Sequence, residues 1–125
     1  MLFMALVLIV DDSHDNASLV EASLTVLGYD VACAYTAEDG LDIAYEYHPD
    51  LIVADLRLYG SKIDGWEFIR EVRAYGPLHD IPIIVTSVEV MPDDRPRALD
   101  AGANIYYPKP FRIAELRNHI KDWLG

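Results

Sequence analysis

Along the chain, apolar residues change period repeatedly, and Gly, Pro or a capping residue stands at nearly every change. Ala5 to Val10 is an uninterrupted apolar run of the kind a strand buried on both faces requires. Ala17, Val20, Leu24 and Leu27 then recur at spacings of three and four. They predict a first helix with those four residues on its buried side, closed by Gly28 as a C-terminal cap. Val31 to Ala34 reads as a second strand. In "TAED", Thr36 stands three residues before Asp39 in the manner of a capping box, and Leu41, Ile43, Ala44 and Tyr47 mark the buried side of a second helix.

The third strand is Leu51, Ile52, Val53 and Ala54, ending in Asp55. A third helix is expected from Asp64 or Gly65 to Tyr75, burying Phe68, Ile69 and Val72, and "IPIIVTS" is the fourth strand with its proline at the start. Pro96 removes a helix hydrogen bond and clashes with the preceding turn, so the fourth helix should be short. It is expected to start near Asp93 to Arg95, with Asp93 or Asp94 as its cap. A short fifth strand at Ile105 to Tyr107 follows. The last helix, from Phe111, buries Ile113, Leu116, Ile120 and Trp123 or Leu124.

Strict alternation of strands and helices implies a parallel sheet covered by helices on both faces, because parallel neighbours need right-handed crossover connections. The expected class is α/β, a doubly wound five-stranded sheet in the order 2-1-3-4-5. A chain of 125 residues suits one domain, 1–125, with one core and no output domain. In such sheets ligands lie beyond the carboxyl ends of the strands, at the switch point of strand order. The residues that end strands are therefore the ones to read for chemistry.

Charge narrows the partners. A formal net charge of −11 does not supply the positive patch that a phosphate-backbone binder needs, so no direct nucleic-acid contact is expected. Cys33 is the single cysteine, which excludes an internal disulfide; it sits in the apolar "VACAY" and fits a reducing, cytoplasmic setting. The opening "MLFMALVLIV" lacks a basic segment and a small-residue cleavage site and is too short to span a bilayer, so neither a leader nor a membrane partner is expected. His14, His48, His79 and His119 show no metal-ligand spacing and are expected at the surface, with His14 near the rim of the site, while Trp66 and Trp123 read as packing residues.

The strand ends carry Asp11 and Asp12, Asp55, Thr86 and Ser87, and Lys109 before Pro110. Carboxylates gathered at one rim repel one another unless protons or a cation neutralise them. Hard oxygen donors with room for water suit Mg²⁺ rather than zinc. Lys109 and Thr86 add a cation and a hydroxyl, which together complement a phosphoryl group attacked by a carboxylate oxygen. Strand three lies between strands one and four, so Asp55 is expected to take the phosphoryl group while Asp11 and Asp12 hold the metal.

Through "LIVDD", "LIVADL", "IIVTS" and "DAGANIYYPKPF" and their spacing, the chain resembles the receiver domain of two-component response regulators over nearly its whole length. The resemblance implies a flavodoxin-like (βα)₅ domain that accepts a phosphoryl group from a sensor histidine kinase or a histidine phosphotransfer protein, and is not otherwise an enzyme. By position, Asp55 is the implied phosphoacceptor. Asp11 and Asp12 are the metal-binding acid pair, with Asp55 itself and the Arg57 backbone carbonyl completing the Mg²⁺ shell. Thr86 is the implied switch hydroxyl, Lys109 the phosphate-contacting ammonium and Tyr106 the switch aromatic, and Lys109-Pro110 is an implied cis peptide. The fourth helix, fifth strand and fifth helix would form the surface that switches, toward an output partner or a second copy.

The chain departs from the family pattern in two places. Tyr59 stands where the family usually has proline, and the glycine usual eight residues after the phosphoacceptor is delayed to Gly65, ten after Asp55, so a longer, more mobile loop is expected. "VEVMPDDRPRALDAG" shortens the fourth helix and with it part of the output surface. A degenerate receiver that binds partners constitutively is the alternative reading. An aspartyl-phosphate hydrolase of the haloacid dehalogenase type would place its nucleophile in a DxD arrangement after strand one and add a cap domain. A flavin carrier would need a hydroxyl-rich phosphate loop where this chain has Asp11 and Asp12.

Overall fold

A computed structural model describes residues 4–88 and 91–124. Met1 to Phe3, in the apolar opening, lie outside it. The elements are β1 (Leu6–Val10), α1 (His14–Thr25), β2 (Asp30–Ala34), α2 (Ala37–Tyr47), β3 (Leu51–Asp55), α3 (Gly65–Ala74), β4 (Ile83–Val88), α4 (Asp94–Ala101), β5 (Ile105–Lys109) and α5 (Ile113–Leu124), with one 3₁₀ turn, Gly76–Leu78, before β4. The strands form one parallel sheet in the order β2-β1-β3-β4-β5. This is the expected flavodoxin-like arrangement.

The sheet divides the apolar residues by alternation. Leu8, Val10, Ile52, Ala54, Ile83 and Val85 pack toward α2, α3 and α4, whereas Val7, Ile9, Leu51, Val53 and Ile84 pack toward α1 and α5. Burial on both faces is why β1, β3 and β4 read as continuous apolar runs. Cys33 is half-buried, and its thiol is pushed up to about 11, first by burial and then by Glu21.

The helix starts follow the local chemistry. Ser13, Thr36 and Asp64 each accept a hydrogen bond from the backbone N–H three residues on, at 3.2, 3.1 and 2.8 Å, satisfying donors that the first turn leaves without partners. Two residues expected in the core, Leu27 and Tyr47, are exposed instead, and of the alternatives Trp123 and Leu124 it is Leu124 that packs against the core. Leu27 lies beyond α1, in the turn where Gly28 takes φ +92, and Tyr47 is the last residue of α2. The stripe on α2 is filled by Ala37, Gly40, Leu41 and Ala44, so small residues let that helix lie close to the strands. β5 runs two residues further than expected and takes in Pro108 and Lys109; it is an edge strand, where a proline removes no ladder bond that another strand needs.

The long loop after β3 is fastened at its middle. Ser61 Oγ accepts a 2.8 Å hydrogen bond from Ala37 N–H, and Lys62 N–H donates to Glu38, so the added residues are tied to the first turn of α2. Leu56 and Leu58 are buried. The chain then returns to the strand at Gly65, where a Cβ would stand 2.5 Å from Leu56 Cα and 2.8 Å from the carbonyl oxygens of Asp55 and Leu56. Only glycine lets α3 begin against that backbone. Gly65→Ala is expected to cost roughly 2 kcal/mol, the usual scale for forcing a methyl group into closed packing. Urea denaturation measures it, and a midpoint equal to that of the wild type would mean that α3 moves freely.

Candidate functional site

Asp11 follows the last residue of β1, and its N–H bonds Ala34 O at 3.0 Å, so the sheet ladder itself holds it. One carboxylate oxygen accepts Ser13 N–H at 2.9 Å. Asp55 ends β3, beside Thr86 in register on β4, and its Oδ1 accepts Arg57 N–H at 2.9 Å. Lys109, at the end of β5, reaches across β4 to donate to Asp55 Oδ2 at 2.8 Å and to Asp11 Oδ2 at 3.2 Å. Asp11, Asp55 and Thr86 are buried, and Asp12 is half-buried at the rim.

One carboxylate oxygen from each of Asp11, Asp12 and Asp55 lies within 4.8 Å of the other two. That spacing and an all-oxygen donor set fit a small hard cation that keeps some of its water, as Mg²⁺ does. The charge balance points the same way: Lys109 is the one ammonium paired with this group of three carboxylates among the described residues. Burial pushes the Asp55 carboxyl above its ordinary value, with Asp11 adding to the rise, against the opposing pull of Lys109 and of the Arg57 N–H. Burial works to lower Lys109, but its hydrogen bond and charge pairing with Asp55 and Asp11 carry it above its ordinary value.

Of the residues assigned to switching, Thr86 lies beside Asp55 in register. Tyr106 is buried on β5, paired in register with Val85, and the Arg95 guanidinium lies 5.1 Å from its ring centre. Lys109-Pro110 is cis. Arg57 is brought to the site by its backbone N–H, while its side chain turns away to Asp94, at 2.7 Å. His14 stacks on Tyr35 with ring centres 3.6 Å apart, and no contact joins it to the carboxylates.

Three features escaped the sequence. Asp94 is buried at 1% exposure, and Asp93, which holds the N-cap position of α4, makes no side-chain capping bond. The signal available was Pro96, which placed the helix start but not the partner of either carboxylate. Trp66 is covered by two cations, Arg97 at 4.0 Å and Arg57 at 5.0 Å from its ring centre. An apolar cavity of about 440 Å³ also opens between α1 and α5, bounded by Leu19, Val20, Val53, Phe111 and Ile113 and reaching Asp11 and Lys109.

Comparison with known proteins gives the same picture over nearly the whole chain. A family model described as the response regulator receiver domain matches residues 7–121. The chemotaxis response regulator CheY4 of Vibrio cholerae superposes with a TM-score of 0.88 at 28% identity, over 97% of this chain and 99% of that one. A response regulator from Chloroflexus aurantiacus gives 0.89 at 32% identity, over 98% of both chains. The signal receiver domain of a histidine kinase from Syntrophus aciditrophicus gives 0.87 at 28% identity, over 96% of this chain and 89% of that one.

Proposed function

The chain belongs to the response regulator receiver domain family, and from that membership we propose that it is a phosphorelay module that accepts a phosphoryl group on Asp55 from a phosphohistidine donor. The observation that carries this reading is the meeting of Asp11, Asp12, Asp55 and Lys109 at one end of the sheet, from segments far apart in sequence.

Asp55 supplies the nucleophile. Its oxygen bonds to phosphorus as the phosphorus–nitrogen bond of the donor breaks, and the imidazole leaves with the electron pair and takes a proton from water. Lys109 is already within hydrogen-bond distance of Asp55, so it can follow charge onto the transferred oxygens without a large motion. Asp11, Asp12 and Asp55, with the Arg57 carbonyl, are the groups that would hold Mg²⁺, whose charge neutralises the carboxylates and the phosphoryl oxygens together. A phosphoryl group on Asp55 offers Thr86 a new acceptor. Thr86 moving toward it changes the packing around Tyr106, which is already buried on β5 and so has no inward turn left to make, and the face of α4, β5 and α5 changes for an output partner or second copy.

No helix among the described residues is long and apolar enough to cross a membrane. We assign the module to the cytoplasm, where its phosphodonors act.

Intact mass after incubation with acetyl phosphate tests the reading. One phosphoryl adduct is expected with Mg²⁺ and none in excess EDTA. An unmodified protein in both would favour constitutive partner binding by a degenerate receiver. Mg²⁺ alone is expected to raise the thermal midpoint by an amount equivalent to about 2.7 kcal/mol at a hundred times its dissociation constant, because only the folded chain gathers the three carboxylates. Differential scanning calorimetry at constant ionic strength checks it, and no rise at millimolar Mg²⁺ would remove the metal assignment.

A further inference from the structure

Arg57 is held at both ends. Its backbone N–H donates to the Asp55 carboxylate at 2.9 Å, and its guanidinium donates to Asp94 Oδ2 at 2.7 Å while lying over Trp66. Asp94 is the first residue of α4, and the same Oδ2 accepts Met91 N–H at 3.3 Å. A carboxylate at 1% exposure is costly to bury without a counter-charge, and Arg57 is the ion-pair partner it has among the described residues. The Arg57 side chain, by contrast, is 30% exposed and has room to move.

We propose that the Arg57–Asp94 ion pair is a latch: it holds the first turn of α4 to the loop after Asp55, and an anion seated on Asp55 opens it by competing with Asp94 for the guanidinium. The inference rests on the phosphoacceptor reading above. A phosphoryl group adds negative charge to a rim where Lys109 already serves two carboxylates. Arg57 is the next cation along the chain from Asp55, and a guanidinium matches phosphoryl oxygens in a forked, two-bond geometry. Once Arg57 leaves, Asp94 is a buried charge without its partner. The first turn of α4 must then rearrange until that carboxylate reaches water. The latch therefore opposes anion binding by the free energy needed to break it.

Removing the Asp94 side frees Arg57 for the anion, whereas removing Arg57 abolishes the latch and the anion's partner together. The two substitutions are thus expected to act differently, which a merely structural ion pair does not predict. In a Trp123→Phe background Trp66 is the sole indole, and its fluorescence reports a titration with beryllofluoride in Mg²⁺. Asp94→Asn and Asp94→Ser are expected to bind beryllofluoride about five- to tenfold more tightly than the parent. Arg57→Gln is expected to bind no more tightly than the parent. If both Asp94 variants bind equally or more weakly while the parent binds, the latch falls and the phosphoacceptor reading stands. If the parent binds no beryllofluoride, both fall.

Discussion

Asp55→Asn is expected to leave no Mg²⁺-dependent adduct after treatment with acetyl phosphate, and at the same time to raise the thermal midpoint of the metal-free protein at neutral pH. The first outcome follows from chemistry: an amide nitrogen does not replace the carboxylate oxygen as a nucleophile toward phosphorus. The second follows from charge. Three carboxylates gather within 4.8 Å of one another, one ammonium pairs with two of them, and burial, with Asp11 beside it, holds the Asp55 carboxyl above its ordinary 3.8.

A carboxyl group whose value rises on folding contributes stability that is fully present below its unfolded value and lost as pH rises through its folded value. Asp55 loses that contribution as pH rises through its raised folded value, whereas the neutral amide does not titrate and relieves the repulsion. The stability gap between variant and wild type should therefore narrow as the pH falls toward the unfolded value. Thermal melts in EDTA across the acid range measure it. An Asp55→Asn midpoint at or below that of the wild type at pH 7 would show that the bond to Lys109 outweighs the cost of burial. With saturating Mg²⁺ the order is expected to reverse, since only the wild type keeps all three carboxylates.

Arg73→Ala is expected to destabilise the fold by about 3 kcal/mol, although it lies outside the site, because it strands several oxygen acceptors at once. The Arg73 guanidinium leaves the end of α3 and donates to Gly102 O at 2.9 Å, His79 O at 3.1 Å, Ile81 O at 2.6 Å and Asn104 Oδ1 at 2.9 Å. Asn104 Oδ1 in turn accepts Ile83 N–H at 2.8 Å. One side chain thus ties the segment entering β4 to the turn entering β5. That turn is shaped to receive it: Gly102 has φ +121, and a Cβ there would stand 2.7 Å from Arg73 Cγ.

For a domain of this size, about 3 kcal/mol corresponds to a fall in the thermal midpoint of roughly 10 °C. Arg73→Lys should recover little, because a single ammonium cannot reach acceptors spread around a planar fork. Arg70→Ala, at an exposed position on the same helix, is the matched control and should change stability by no more than about 0.5 kcal/mol. Equal midpoints for Arg73→Ala and Arg70→Ala would dismiss the tie.

Much of the architecture was legible because its signals are local. Apolar runs of strand length, stripes at spacings of three and four, and helix starts at Thr36 and Asp64 depend on neighbours within a turn, so periodicity located the strands and helices to within a few residues. Misreadings fell at element ends. Leu27 and Tyr47 keep the helical spacing but stand at or beyond the last residue of their helices and are exposed, and no local pattern records where the covering layer stops. The gathering of Asp11, Asp55, Thr86 and Lys109 was legible as well, because alternation of strand and helix dictates a parallel sheet whose carboxyl ends share one rim.

Tertiary structure alone decided which charge meets which. Arg57 pairs with Asp94 across 37 residues, and Arg73 with the turns before β4 and β5, although the chain offers many other carboxylates and carbonyls to each. The delayed Gly65 and its longer loop likewise read as slack in sequence, whereas the fold pins them to α2 and to the end of β3. Hydrophobic period is a property of a segment, repeated often enough along the chain to be read. A buried ion pair or a guanidinium hub is one contact between two distant points, and its geometry exists only once the crossovers have brought those points together.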